Sequence, residues 1–234
     1  MLRRFLVVFI VLSISVSKAQ EGTVSPYSFY GIGTLKFKGT AENRAMGGLS
    51  VFTDSIHLNL QNPAAVADLR LVNYTVGASH KFETLSTTNQ KEQATTTSLD
   101  YLAIGIPMGK FGASFGLIPF TAVGYQLEDI GPQGTTQYVG TGGLNKAFLT
   151  LAYKFNDNLS FGIDGNYNFG NIENVATSRQ MDIQYSTREQ NRSDLLGFSL
   201  NFGVSYKRKV TEKLKLFTSL IYSPETNFTA ENSR

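Results

Sequence analysis

In the stretch Leu159-Ser160-Phe161-Gly162-Ile163-Asp164-Gly165-Asn166-Tyr167-Asn168-Phe169-Gly170, apolar and polar residues take turns. Successive side chains of a strand point to opposite faces, so Leu159, Phe161, Ile163, Tyr167 and Phe169 share one face. Ser160, Gly162, Asp164, Asn166 and Asn168 share the other. One face is greasy and aromatic, and its reverse is Asn, Ser, Asp and Gly.

The same rhythm recurs on both sides of this stretch. Upstream, Val72, Tyr74, Val76, Ala78 and Phe82 alternate with polar or small residues. A less regular strand follows at about Leu99 to Ile106. Met108-Gly109-Lys110 then turns into Phe111, Ala113, Phe115 and Leu117, and Ala147, Leu149, Leu151, Tyr153 and Phe155 form the next apolar face. Downstream, Leu196, Phe198, Leu200, Phe202, Val204 and Tyr206 alternate, and Leu214, Leu216, Thr218, Leu220 and Tyr222 close the series. This gives seven strands, with short turns at 108–110, 156–158 and 210–213 and long polar connections at 84–97, 122–145 and 171–194. Short turns on one side and long loops on the other, joining strands of about ten residues, are the pattern of an outer-membrane β-barrel.

The fold class expected is therefore all-β, an antiparallel transmembrane β-barrel. Seven is an odd count, an open sheet edge in lipid leaves backbone groups unpaired, and the sequence closes in what reads as another loop. These facts point to the first half of a barrel, residues 71–234, with about fourteen strands when complete. On that assignment an arginine at Phe161 faces lipid and is costly, whereas one at Asn166 faces the bore and is mild.

Residues 1–19 have the form of a cleaved signal peptide: Arg3 and Arg4, an apolar run from Phe5 to Val16, then Ser17-Lys18-Ala19. The apolar run is too short to span a bilayer. The whole chain of 234 residues carries 21 basic and 18 acidic side chains. The leader holds Arg3, Arg4 and Lys18 and no acid, so the remainder is formally neutral. The sequence pI of about 9.0 thus belongs largely to the leader and gives no support for a nucleic-acid partner. Cysteine is absent, which excludes disulfides and thiolate-held metals. A mean hydropathy of -0.11 is compatible with a barrel, since half of each strand faces a polar interior.

Residues 20–70 differ from the strands in being glycine-punctuated and aperiodic. Asn62-Pro63-Ala64-Ala65-Val66-Ala67 reads as a short helix, with Asn62 as N-cap and Pro63 at the first helical position. The order Gly47-Gly48, Asp54 and Asn62-Pro63-Ala64, placed just before the first strand, resembles the long-chain fatty-acid porin (FadL-type) family, as a divergent subgroup. That resemblance implies a plug built from residues 20–70, with Gly47, Gly48, Asp54, Asn62, Pro63 and Ala64 as its motif. It further implies a channel for diffusion of small hydrophobic molecules across the outer membrane, gated by the plug. The expected partners are outer-membrane lipid and a hydrophobic small molecule. A related branch of such barrels serves protein secretion, so the alternative is a non-transporting accessory or scaffold barrel with a secretion-complex protein as partner. The localisation implied is the outer membrane of a Gram-negative bacterium.

Other motifs weaken on inspection. Asp164, Asn166 and Asn168 have the spacing that starts a calcium loop, but Phe169 stands where that loop needs glycine, so they read as the polar face of a strand. Gly140-Thr141-Gly142-Gly143-Leu144-Asn145-Lys146 resembles a phosphate loop without its ending and reads as an ordinary loop. His57 and His80 are the only histidines; His57 reads as structural and His80 as interfacial. No catalytic residue, metal site or cofactor is expected, and the chain does not read as an enzyme. Lys207-Arg208-Lys209 is a basic run at a short turn, able to touch anionic lipid or simply solvated.

Overall fold

The computed structural model describes residues 22–86, 91–132, 134–181 and 183–234; the leader reading at 1–19 lies outside them. The periodic strands form as read, and the sheet carries them all in antiparallel order. After a two-residue strand β1 (Thr34–Leu35), the wall is built from β2 (Asn73–Ser86), β3 (Lys91–Met108), β4 (Phe111–Pro119), β5 (Thr121–Gly131), β6 (Gly134–Lys154), β7 (Leu159–Gln180), β8 (Thr187–Lys209), β9 (Lys215–Tyr222) and β10 (Thr229–Ser233). β4 and β5 share one place beside β6, and β9 and β10 share one beside β8. The result is an all-β, curled half-barrel of seven strand positions.

The three long connections are shorter than the sequence pattern indicates. Most of 84–97, 122–145 and 171–194 continues the strands as tall hairpins, so that β7 and β8 remain paired from Leu159↔Tyr206 up to Ser178↔Thr187. These segments are rich in Thr, Gln and Asn, with apolar residues such as Val123, Tyr125, Leu144 and Ile172 scattered among them, which is why they read as loops. Backbone pairing with the neighbouring strand holds them extended all the same. Gly140 to Lys146, read as a loop, likewise lies within β6.

The faces separate as the alternation requires, and burial is inverted relative to a sheet in a soluble core. On β7, Ser160, Asp164, Asn166 and Asn168 are buried, while Phe161, Ile163 and Tyr167 are exposed. The exposed set continues across the wall through Val76, Phe115, Leu149, Leu151, Phe198, Phe202 and Leu220. The polar face is buried because residues 22–72 lie across it. Asn166 is 0% exposed, so an arginine there would meet filled space and not an open bore.

The wall also divides. β4 pairs with β3 only between Leu102↔Leu117 and Met108↔Phe111. Beyond Pro119 the chain leaves β3 and continues as β5 along β6, and the edge of β5 so released is taken by β1 through Thr34↔Ala122 and Leu35↔Thr121. Among the described residues, β3 from Lys91 to Tyr101 pairs on one side only, with β2.

Candidate functional site: the N-terminal segment on the polar face

The segment opens with a 3₁₀ turn, Pro26–Phe29. Ser25 N–H donates to the Gly124 carbonyl at 2.8 Å, and Gly124 N–H donates to Ser28 Oγ at 3.1 Å. Above it lies an apolar cluster of Val123, Tyr125, Leu144, Ile172 and Leu195. A short helix α1 (Ala41–Ala45) follows, begun by a capping box between Thr40 and Asn43. It ends at Gly47 and Gly48, both with positive φ (73° and 85°). Gly47 N–H reaches the Arg44 carbonyl at 3.1 Å and Gly48 N–H the Asn43 carbonyl at 2.7 Å. That is the double closure of a Schellman stop, which favours glycine because it needs a left-handed backbone. The Gly-Gly pair is thus a helix terminator.

Asp54 organises the next turn. Its Oδ1 accepts from the Ile56 and His57 amides at 2.5 and 2.8 Å, and its Oδ2 meets His57 Nδ1 at 2.5 Å. Partial burial alone would push the Asp54 carboxyl up. The His57 ring and the two amides outweigh it and hold the group below its ordinary value. The same hydrogen bond raises the His57 imidazole above its ordinary value.

Asn62, Pro63 and Ala64 begin a 3₁₀ helix, Pro63–Asp68. Asn62 Oδ1 caps it by accepting from Ala64 N–H at 3.1 Å, while Asn62 Nδ2 donates to Ser205 Oγ at 2.7 Å on β8. The side chain is 0% exposed. One amide therefore both starts the helix and fixes it to the wall. Ala64, Ala65, Val66 and Ala67 are all buried, and Val66 and Ala67 join a core with Leu58, Leu60, Leu69, Tyr101, Ala103, Ile118, Phe148 and Ala152.

The seat for this helix is a row of small residues that runs across four strands. Gly112 stands opposite Ala152, Ala152 opposite Gly162, and Gly162 opposite Gly203. A Cβ on Gly112 would stand 2.2 Å from the Val66 carbonyl oxygen, and one on Gly203 2.8 Å from Asn62 Oδ1. The helix backbone lies directly on strand backbone, and a larger residue at either position would lift it off.

Polar contacts extend the fit. Asp164 on β7, almost fully buried, accepts from Lys38 Nζ at 3.4 Å, Thr150 Oγ1 at 3.1 Å and Asn201 Nδ2 at 2.8 Å. Arg44 pairs with Asp100 at 3.2 Å, and Tyr101 Oη accepts from Ala41 N–H at 3.1 Å. Lys207 pairs with Asp68 at the short-turn end. Lys36 donates to the Gly22 carbonyl and to Ser98 Oγ; burial, more than the nearby Lys81 charge, lowers its pKa.

The six motif residues do not converge on a single point. Asn62, Pro63 and Ala64 meet the wall, Gly47 and Gly48 stop a helix, and Asp54 closes a turn beside His57. Lys38, Asp164, Ser205 and the small-residue row carry more of the fit, and sequence reasoning missed their association. Asp164 and Ser205 were legible as polar-face positions. Nothing local links them to residues more than a hundred positions away.

Fold and seat together define the class: a half-barrel sheet, greasy outside and polar within, whose inner face is covered by its own N-terminal segment. The chain belongs to the BamG family, whose sequence profile matches residues 1–234. No curated protein and no solved structure matches it.

The family assignment overturns the resemblance to fatty-acid porins. With it go the plug-gated channel for small hydrophobic molecules and the porin-like transport reading. The physical reason lies in what the shared motif records. Gly-Gly is needed to stop a helix, and Asn-Pro-Ala to start one flat on a small-residue floor. Both are demands of chain geometry, and neither specifies a substrate.

Proposed function

We propose that the chain is a non-enzymatic, non-transporting component associated with the Bam complex, the machinery of outer-membrane protein assembly. The observation that carries this reading is the family match along the whole chain. In its favour, much of the wall's large apolar surface faces outward, although Tyr101, Ile118 and Phe148 pack inward under the N-terminal segment. Phe198 is 63% and Leu220 70% exposed. A contiguous apolar face of this extent needs either a partner or a bilayer to cover it. Acyl chains of the outer membrane fit it, and strands of 18 to 23 residues such as β3 and β8 exceed the 9–11 that a bilayer requires. Their upper parts would stand clear of the lipid.

In this reading residues 20–70 act as a fixed internal plug, residues 1–19 as an export leader, and the wall closes as a barrel of about fourteen strands. Among the described residues β2 pairs only with β3, and β9 and β10 only with β8; open edges within hydrocarbon cost several kcal/mol for each exposed backbone group, which favours closure. The plug stiffens the wall, leaving the outer surface and hairpins to meet a protein partner.

The test is purification of the affinity-tagged full-length protein from outer membranes in mild detergent, followed by native electrophoresis. Co-migration with the Bam complex is expected, together with slower assembly of other outer-membrane proteins when the chain is depleted. Migration as a free barrel, with assembly unaffected, would reject the reading.

A further inference from the structure

At the short-turn end of the wall, an open cavity of about 680 Å³ lies between the N-terminal segment and strands β6, β8 and β9. Six cations line it: Arg70, Lys154, Lys207, Arg208, Lys209 and Lys215. Three carboxylates face them, and each is already engaged. Asp68 holds Lys207, Asp157 holds Lys154 at 3.1 Å, and Asp54 is taken by His57. Among the described residues, Arg70, Arg208, Lys209 and Lys215 have no ion-pair partner.

Two of these are directly opposed. Lys209 on β8 pairs in register with Lys215 on β9, so two like charges share one face at neighbouring positions. Such a cross-strand pair is destabilising in isolation. A negatively charged group between them turns the repulsion into attraction, and Lys207, fixed by Asp68, already stands one pair further in on the same face.

We propose that this cavity docks an acidic segment of a partner protein, whose carboxylates engage Arg70, Lys209 and Lys215. The proposal rests on the accessory-protein reading for the ligand being a protein, while its chemistry comes from the unpaired cations. An anionic lipid fits less well. The cavity opens on the inner, polar side of the wall, and Phe217, its one large apolar lining residue, packs against Phe52 with ring centroids 5.3 Å apart. That leaves little apolar lining inside the cavity for acyl chains. The Lys207-Arg208-Lys209 run, unremarkable as a solvated turn, becomes one wall of a site once Arg70, Lys154 and Lys215 are folded onto it.

The experiment titrates the full-length detergent-solubilised protein with a fluorescent decapeptide of alternating Asp and Ser. A matched peptide carrying Asn in place of Asp serves as control. The acidic peptide should bind and the Asn peptide should not, with affinity falling as salt rises. Lys209→Gln combined with Lys215→Gln should weaken binding by about tenfold, whereas Lys110→Gln, at another short turn, should leave it unchanged. Should the double variant lose its heat-modifiable migration, Arg70→Gln, outside the sheet, gives the same readout. Equal binding of the two peptides, unchanged affinity in the folded variants, or binding only to vesicles containing phosphatidylglycerol would overturn the proposal. Free migration of the wild-type protein apart from the Bam complex would instead reject the accessory reading, whatever the peptide does.

Discussion

Gly162 and Pro63 touch backbone to backbone: a Cβ on Gly162 would stand 2.3 Å from the Pro63 carbonyl carbon and 2.5 Å from the Ala64 nitrogen. The contact joins β7 to a helix about a hundred residues earlier in the chain, and it sets how closely the N-terminal segment approaches the wall.

Gly162→Val should therefore dislodge the segment. Overpacking against backbone that cannot yield costs about 1–3 kcal/mol or more. Limited proteolysis should show faster cleavage within 22–72 while the strands remain protected. Gly165→Ala is the control, since its Cβ would meet nothing nearer than the Phe198 ring at 3.5 Å. Equal protease resistance of the two variants would contradict the seat.

Asn62→Ala removes both the helix cap and the bond to Ser205. Cap loss alone costs about 0.5–2 kcal/mol, and the Ser205 hydroxyl loses a buried partner besides. Ser205→Ala should remove only the second contribution. A double-mutant cycle on thermal unfolding should show the two substitutions to be non-additive. Simple additivity would mean that the two side chains act independently.

Asp164→Ala should be among the most damaging single changes, at about 3–5 kcal/mol, because it leaves Lys38 without its counter-charge beneath the segment. Asp164→Asn preserves shape and part of the hydrogen bonding and should cost less. The ranking is checked by denaturant midpoints in detergent.

Arginine substitutions at Phe161 and Asn166 should both be harmful, for different reasons. Phe161→Arg places a charge on the outer face, costing about 2–4 kcal/mol if that position lies at mid-bilayer. Asn166→Arg must fit a long side chain where the native residue is 0% exposed, on the face that the N-terminal segment covers. The first should impair membrane insertion, read by heat-modifiable migration. The second should leave insertion intact and expose residues 22–72 to protease.

The Asp54–His57 contact should titrate at both ends. The His57 pKa is raised on folding, so its contribution is complete below the ordinary imidazole value and is lost as pH rises through the elevated one. The Asp54 pKa is lowered, so its contribution is present above the ordinary carboxyl value and is lost as pH falls through the depressed one. Imidazole proton shifts in NMR should give a His57 midpoint above that of the unfolded chain, and Asp54→Asn should move it down. An unchanged midpoint would mean that the pair does not form.

Much of the wall was legible residue by residue. Alternation of Phe161 with Gly162 and Phe198 with Ser199 needs only the two-residue period of a strand, and turns such as Met108-Gly109-Lys110 announce themselves locally. Asn62 and Pro63 likewise carry helix-start chemistry wherever they stand. The tall hairpins were harder to see: residues such as Gln137 and Thr177 have no apolar face, and what extends them is pairing with each other. The transport reading went astray for a related reason, since the resemblance rested on residues whose duty is to bend or seat the chain.

By itself the sequence determined where the strands run and which side chains share a face, because the stereochemistry of an extended chain is local. Only the tertiary structure decided what lies on each face. Gly112, Ala152, Gly162 and Gly203 become one floor through register, the helix from Pro63 to Asp68 lands on it, and Lys209 comes to oppose Lys215. These relationships join residues that are distant along the chain, and their energy exists only once pairing has brought the backbones together.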